Sequence, residues 1–147
     1  MTIEIKDVSP NVAAAMQEAF AAQGALQALG ARLTKIGAGT CELVVPFSPA
    51  ATQHHGTFHG GVFGTVADTV GGFAAYSLLM PERDCVAVEY KVNMLAPGNG
   101  DALIGRGKVV KAGRSLVVTS GEIFTTKNGA EKLCAIFQQT LFVIEKK

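Results

Sequence analysis

The residues with the most chemical promise are one carboxylate and three histidines. Across 60–80 the chain is apolar, with Asp68 its single charge. His54, His55 and His59 lie just before, in the polar segment 48–61. On a helix, residues three, four and seven apart share a face. That spacing places Gly61, Gly64, Gly71, Gly72 and Ala75 around Asp68. The opposite side carries Val62, Phe63, Val66, Val70 and Phe73. Glycine inside a helix costs about 1 kcal/mol relative to alanine. A stripe of them needs a reason: close packing against another element, or room for a ligand beside the carboxylate. A subunit interface could use both. Asp68 itself reads as a functional carboxylate beside a ligand, or as a buried aspartate satisfied by backbone donors.

Other chemistries lack their residues. The histidines have no neighbouring cysteine or carboxylate in sequence, so a zinc site is not expected and no metal is assigned. Cys41, Cys85 and Cys134 form no CxxC pair, which removes zinc-ribbon and thioredoxin motifs. There is no G-x-S-x-G elbow and no phosphate-binding P-loop. The chain has 147 residues, 17% charged and 48% hydrophobic, with net charge +1. A disordered chain would be more polar, and a dedicated nucleic-acid binder more basic. The N-terminus lacks a basic stretch followed by an apolar one. With unpaired cysteines, this points to the cytoplasm.

The elements that must position these groups follow from patterning. Ser9-Pro10 reads as a helix start, a hydroxyl cap before proline, and Gly24 as that helix's end. The segment 30–47 reads as two strands about the turn Gly37-Ala38-Gly39. Proline after Met80 ends the long apolar helix. Its length would cross a bilayer, but Asp68 near its centre and the lack of flanking Lys or Arg clusters favour the centre of a globular domain. After it, Val86, Val88, Tyr90, Val92 and Met94 alternate on one face of a strand, as period two requires. Strands at 101–111, 115–126 and 131–144 follow, separated by the turns Pro97-Gly98-Asn99-Gly100, Ala112-Gly113-Arg114 and Lys127-Asn128-Gly129. Short connections imply antiparallel pairing. The fold class is α+β: one domain over 1–147, with a helical segment at 1–29 and an antiparallel sheet covered by the long helix.

The stretch from Gln53 to Asp68, with His59-Gly60-Gly61 and Ala67-Asp68 nine residues apart from histidine to acid, resembles the signature of the PaaI-type hotdog-fold acyl-CoA thioesterases. The strand 88–97 and the turn Gly113-Arg114 also resemble that family. The resemblance covers roughly 30–144. It implies a sheet wrapped around the long helix, and subunits paired edge to edge as a homodimer or a homotetramer of paired dimers. It implies active sites at the dimer interface and an acyl-CoA substrate. It assigns Asp68 as general base or nucleophile and the Gly60 N–H as oxyanion donor. Gln53 would help place the reacting group, and His59 would orient the loop or Gly60. Some members carry a hydroxyl residue eighteen positions after the acid. Here that position is Val86, so a hydroxyl would have to come from elsewhere, with Thr69 a candidate.

Helix physics agrees with the split of roles. A helix N-terminus offers unpaired N–H groups and partial positive charge, which suits a developing oxyanion. Glycine at Gly60 and Gly61 lets a ligand approach the backbone. Gly60 and Asp68 would stand about 12 Å apart along the axis, too far to serve one carbonyl. The donor and the carboxylate should therefore come from different subunits. Arg83, Lys111, Gly113 and Arg114, at strand ends and turns, are candidates for contact with the phosphates of coenzyme A. No cofactor is expected beyond the coenzyme A of the substrate. The alternative is a hotdog module that binds acyl-CoA without cleaving it; a hydratase would need a different histidine motif.

Overall fold

The computed structural model describes residues 6–146. Helix α1 (Pro10–Ala21) starts where Ser9 Oγ accepts the Val12 N–H at 3.3 Å. It buries Met16 and Phe20, one helical turn apart. Phe20 meets Phe73 edge to face, with centroids 6.0 Å apart. Gly24 does not end this helix. The chain stops being helical after Ala21, and Gly24 opens the short helix α2 (Gly24–Ala28), which buries Leu26.

Strands β1 (Arg32–Gly37) and β2 (Thr40–Pro46) form a hairpin. Gly39 takes φ +73° in its turn, a conformation that glycine adopts without strain. Helix α3 (Gly60–Leu79) follows, then β3 (Arg83–Met94), β4 (Ala102–Ala112), β5 (Leu116–Lys127) and β6 (Ala130–Glu145). The six strands make one antiparallel sheet in the order β1-β2-β4-β5-β6-β3. Strand β3 therefore crosses from α3 to the far edge before the chain returns to pair β4 with β2.

Helix α3 packs against the sheet and is mostly buried. Phe63, Val66 and Val70 pack with Leu43, Val45, Leu103 and Ile123, all essentially inaccessible. Each such side chain contributes about 1.5–3 kcal/mol through burial. Two strand glycines set how close the helix comes. A Cβ on Gly107 would lie 2.5 Å from the Val70 carbonyl oxygen, and one on Gly105 would collide with Val66. The apolar length of α3 is thus that of a core helix wrapped by its own sheet.

The face alternation expected for β3 is broken by a bulge between Ala87 and Glu89. A bulge inserts an extra residue and re-aims the side chains past it. Beyond this one, Tyr90 and Met94 reach Gly64 and Gly60 of α3, and Val92 packs on the core. Before it, Cys85 and Ala87 face the helix. Val86 and Val88 remain about half exposed. The strand also begins at Arg83, three residues earlier than the alternation indicated. Among the described residues its sheet neighbour is β6 alone.

Candidate active site

The first half of the site is the start of α3 and the loop before it. That loop is pinned to its surroundings: the His59 N–H donates to the Ala51 carbonyl at 2.8 Å, and the Phe58 N–H to the Gly98 carbonyl at 2.9 Å. Phe58 packs edge to face on Phe47. His59 caps the helix, its Nδ1 accepting the Gly61 N–H at 2.8 Å. A ring nitrogen that accepts carries no proton, so His59 acts here as a cap. The Val62 N–H donates to the His59 carbonyl at 2.9 Å. The Gly60 N–H has no acceptor among the described residues. It is an orphan donor at the positive end of a helix dipole. It borders a groove of about 420 Å³ that Gln53, Phe63 and Met94 also line.

Gln53 is held by its own loop. Its Nε2 donates to Thr57 Oγ1 at 2.9 Å, and its Oε1 accepts the His55 N–H. It lines the Gly60 groove, but these bonds hold its amide. His54 and His55 are exposed and lie against each other with their rings tilted by 42°, centroids 4.0 Å apart. Among the described residues there is no group of three or more His, Cys, Asp or Glu able to hold a metal ion.

The second half is centred on Asp68, two turns further along α3. Its carboxylate is partly buried, and desolvation raises its pKa above the usual aspartate value. One bond opposes that rise: Gln139 Nε2 donates to Asp68 Oδ1 at 2.5 Å. Gln139 is fully buried, and its Oε1 accepts from Thr119 Oγ1 at 3.3 Å. An ionised carboxylate only accepts, so Asp68 fixes the Nε2 end of the amide toward itself, and the Thr119 hydroxyl donates to the other end. Neither Gln139 nor Thr119 was a sequence candidate. The signal was present in the alternation of β6, where Gln139 shares the inward face with Phe137 and Leu141. A glutamine on an apolar face needs a buried partner.

The glycines around Asp68 divide into two kinds. A Cβ on Gly71 would run into Gln139 Oε1 and come within 2.7 Å of Thr119 Oγ1. A Cβ on Gly64 would lie 3.0 Å from the Tyr90 hydroxyl. These two serve close packing. A Cβ on Gly72 would make only an ordinary contact with Leu141 Cδ2 at 3.8 Å, beside a cavity of about 270 Å³ next to Asp68. Thr69 lines the same cavity, but its hydroxyl donates to the Thr65 carbonyl at 2.7 Å. Cys85 lies there too, its thiol pushed up to about 12 by burial and then by Asp84 and Asp68. It stays protonated, which argues against a nucleophilic role.

The two halves share no lining residue. Gly60 and Asp68 sit eight residues apart on one helix, about 12 Å at 1.5 Å per residue. The candidate phosphate contacts lie elsewhere again. Arg83 lies opposite Glu145 in the ladder, and the Ser115 carbonyl accepts the Val143 N–H at 2.9 Å. Arg83, Lys111, Gly113 and Arg114 are thus gathered at one end of the sheet, around the β4–β5 turn and the start of β3. None of them lines either cavity. Gly61 is exposed at the helix start beside His59.

Comparison with known proteins places this geometry. Residues 55–132 match the thioesterase superfamily. A thioesterase family protein from Silicibacter pomeroyi is 36% identical, with a TM-score of 0.88 over 92% of this chain and 99% of that one. A thioesterase from Haemophilus influenzae is 25% identical, with a TM-score of 0.82 over 97% and 96%. The PaaI protein of E. coli, at 22% identity, shares the fold with a TM-score of 0.83 over 94% and 96%. With a helix-start donor and a partly buried carboxylate on a sheet-wrapped helix, the chain belongs to the thioesterase superfamily: it is a thioester hydrolase with a PaaI-like hotdog fold.

Proposed function

We propose that the protein hydrolyses acyl or aryl thioesters of coenzyme A at composite sites built by two subunits. The observation that carries this reading is the separation of the unpaired Gly60 N–H and the Asp68 carboxylate into cavities with no common wall. One thioester carbonyl cannot meet both within a chain. A two-fold pairing of β3 edges would bring Gly60 of one subunit toward Asp68 of the other. Strand β3 suits that role, because no described strand pairs with its outer edge and Val88, Tyr90 and Met94 are about half exposed. Such an edge left bare would invite uncontrolled association.

In this mechanism the Gly60 N–H polarises the carbonyl and holds the oxyanion as charge develops. Asp68, from the partner, activates water as general base or attacks the carbonyl carbon itself. Its raised pKa makes it a stronger base than a solvated aspartate, while Gln139 keeps it ionised and aimed. His59 holds the helix start in place. Gln53 orders the loop that lines the donor side. The thiol of coenzyme A leaves, and Arg83, Lys111 and Arg114 are candidates to meet its phosphates in the assembled oligomer, dimer or tetramer. The alternative, binding without cleavage, predicts tight acyl-CoA binding and no thiol release.

Subunit mixing tests the composite site. Asp68→Asn and Gly60→Val should each abolish turnover as homodimers. Gly60→Val fills the space in front of Met94, whose Cε would lie 3.1 Å from a Cβ there. A heterodimer of the two carries one intact site, so an equal mixture after subunit exchange should recover about a quarter of wild-type activity under two-fold symmetry. No recovery in a mixture whose exchange is verified would overturn the shared site.

A further inference from the structure

The cavity beside Asp68 holds a second carboxylate that the proposed chemistry does not use. Its floor is Gly72, where a Cβ would meet only Leu141 Cδ2 at 3.8 Å. That glycine relieves no collision; it leaves space. Phe73, Ala87 and Leu141 supply apolar wall, and Ala19 of α1 and Gln23, just before α2, line the remaining side. Asp84 completes the lining, its Oδ1 accepting the Cys85 N–H at 2.6 Å. Among the described residues, no lysine, arginine or histidine lines this space. Asp68 and Asp84 line the cavity together with the partly buried Cys85 thiol, which both carboxylates push upward.

We propose that this cavity receives the acyl group of the thioester, and that Asp84 is a specificity residue that repels acyl groups ending in a carboxylate. The inference rests on the thioesterase reading above. An acid-terminated acyl group would bring a third negative charge into a partly dehydrated space with no cation to meet it. Screening by salt is weak there, and like-charge contact in such a space is strongly unfavourable. An uncharged aliphatic or aromatic acyl group instead meets Phe73, Ala87 and Leu141, with Gln23 and Tyr76 able to bond a hydroxyl on it.

Glutaryl-CoA and its monomethyl ester differ by that one charge and test the idea directly. The wild-type protein should show kcat/KM for the ester on the order of a hundredfold above that for the acid, the scale of one unrelieved like-charge contact. Asp84→Asn should narrow that ratio by at least about tenfold, by removing one of the two repelling charges. Asparagine keeps an Oδ1 acceptor for the Cys85 N–H, so the strand start is preserved. The readout is the ratio within each variant, so a general change in rate cancels. A wild-type ratio near one, or a ratio unmoved by Asp84→Asn, overturns the proposal. If neither compound is cleaved, the proposed acyl-CoA substrate fails instead. The dissociation constants of uncleavable thioether analogues of the same pair, measured by calorimetry, then decide the pocket on its own: the same ratio supports it, and equal affinity refutes it.

Discussion

Replacing Gln139 by leucine should change the acid side of the pH–rate profile. Gln139 Nε2 reaches Asp68 Oδ1 at 2.5 Å, inside a fully buried side chain whose other end is tied to Thr119. That bond is the one influence lowering the Asp68 pKa against the rise from desolvation. A hydrogen bond to a charged group is worth about 1.5–3 kcal/mol. Each pH unit corresponds to about 1.4 kcal/mol. Leucine fills a similar volume but stabilises neither protonation state, so protonation of Asp68 becomes easier. The acid limb of kcat/KM should therefore move upward by about one pH unit or more. The assay is kcat/KM from pH 4 to 9 on a neutral acyl-CoA, with released coenzyme A quantified by chromatography. Thermal unfolding at each pH separates loss of fold from loss of ionised base. An acid limb that stays in place while kcat falls would refute the reasoning, because Gln139 would then be structural only.

The same geometry sets three further outcomes. Asp68→Asn should lower turnover several hundredfold or more, as expected for loss of a reacting group, without lowering the melting temperature at neutral pH. The sign comes from linkage: a carboxyl whose folded pKa is raised binds extra protons when folded, so ionised Asp68 costs stability as pH rises through that window; a melting temperature well below wild type would contradict it. Gly71→Ala should displace Gln139 and Thr119, costing about 1–3 kcal/mol as overpacking does, and should move the acid limb in the same direction as Gln139→Leu. Chemical denaturation and the pH profile together check it; an alanine variant with wild-type stability and profile would show that the pair does not hold Asp68. Gly72→Ala, by contrast, meets only an ordinary contact with Leu141 and should fold with nearly unchanged stability while altering the preference among acyl chain lengths, read from kcat/KM over a homologous series.

Much of this arrangement was legible in the chain itself. The proline and serine at the first helix start, the turn residues between strands, and the apolar run broken by Asp68 each act locally, through backbone conformation and capping. Spacing alone put Gly60 and Asp68 on one helix and too far apart to share a carbonyl. Period-two alternation located the strands after the helix within a few residues. It failed inside β3, where the bulge between Ala87 and Glu89 re-aims the side chains. Nothing local announces an extra residue in a ladder whose partner strand lies fifty residues on.

What only the tertiary structure decided is which surfaces meet. The sheet order carries β3 to the far edge and lays β6 beside it, and that placement delivers Gln139 to Asp68 across seventy-one residues of sequence. The glycine stripe was ambiguous as composition. Packing against Gln139, Thr119 and Tyr90 explains Gly71 and Gly64, while a Cβ on Gly72 would make only an ordinary contact with Leu141. The N-terminal helical segment enters the site for the same reason, since Ala19 of α1 and Gln23 before α2 line a cavity that their own sequence gives no hint of. A sequence records the conformational preferences of each segment and the chemistry each side chain can perform. Which side chains desolvate one another depends on contacts between distant strands, and those arise only when the sheet closes around its helix.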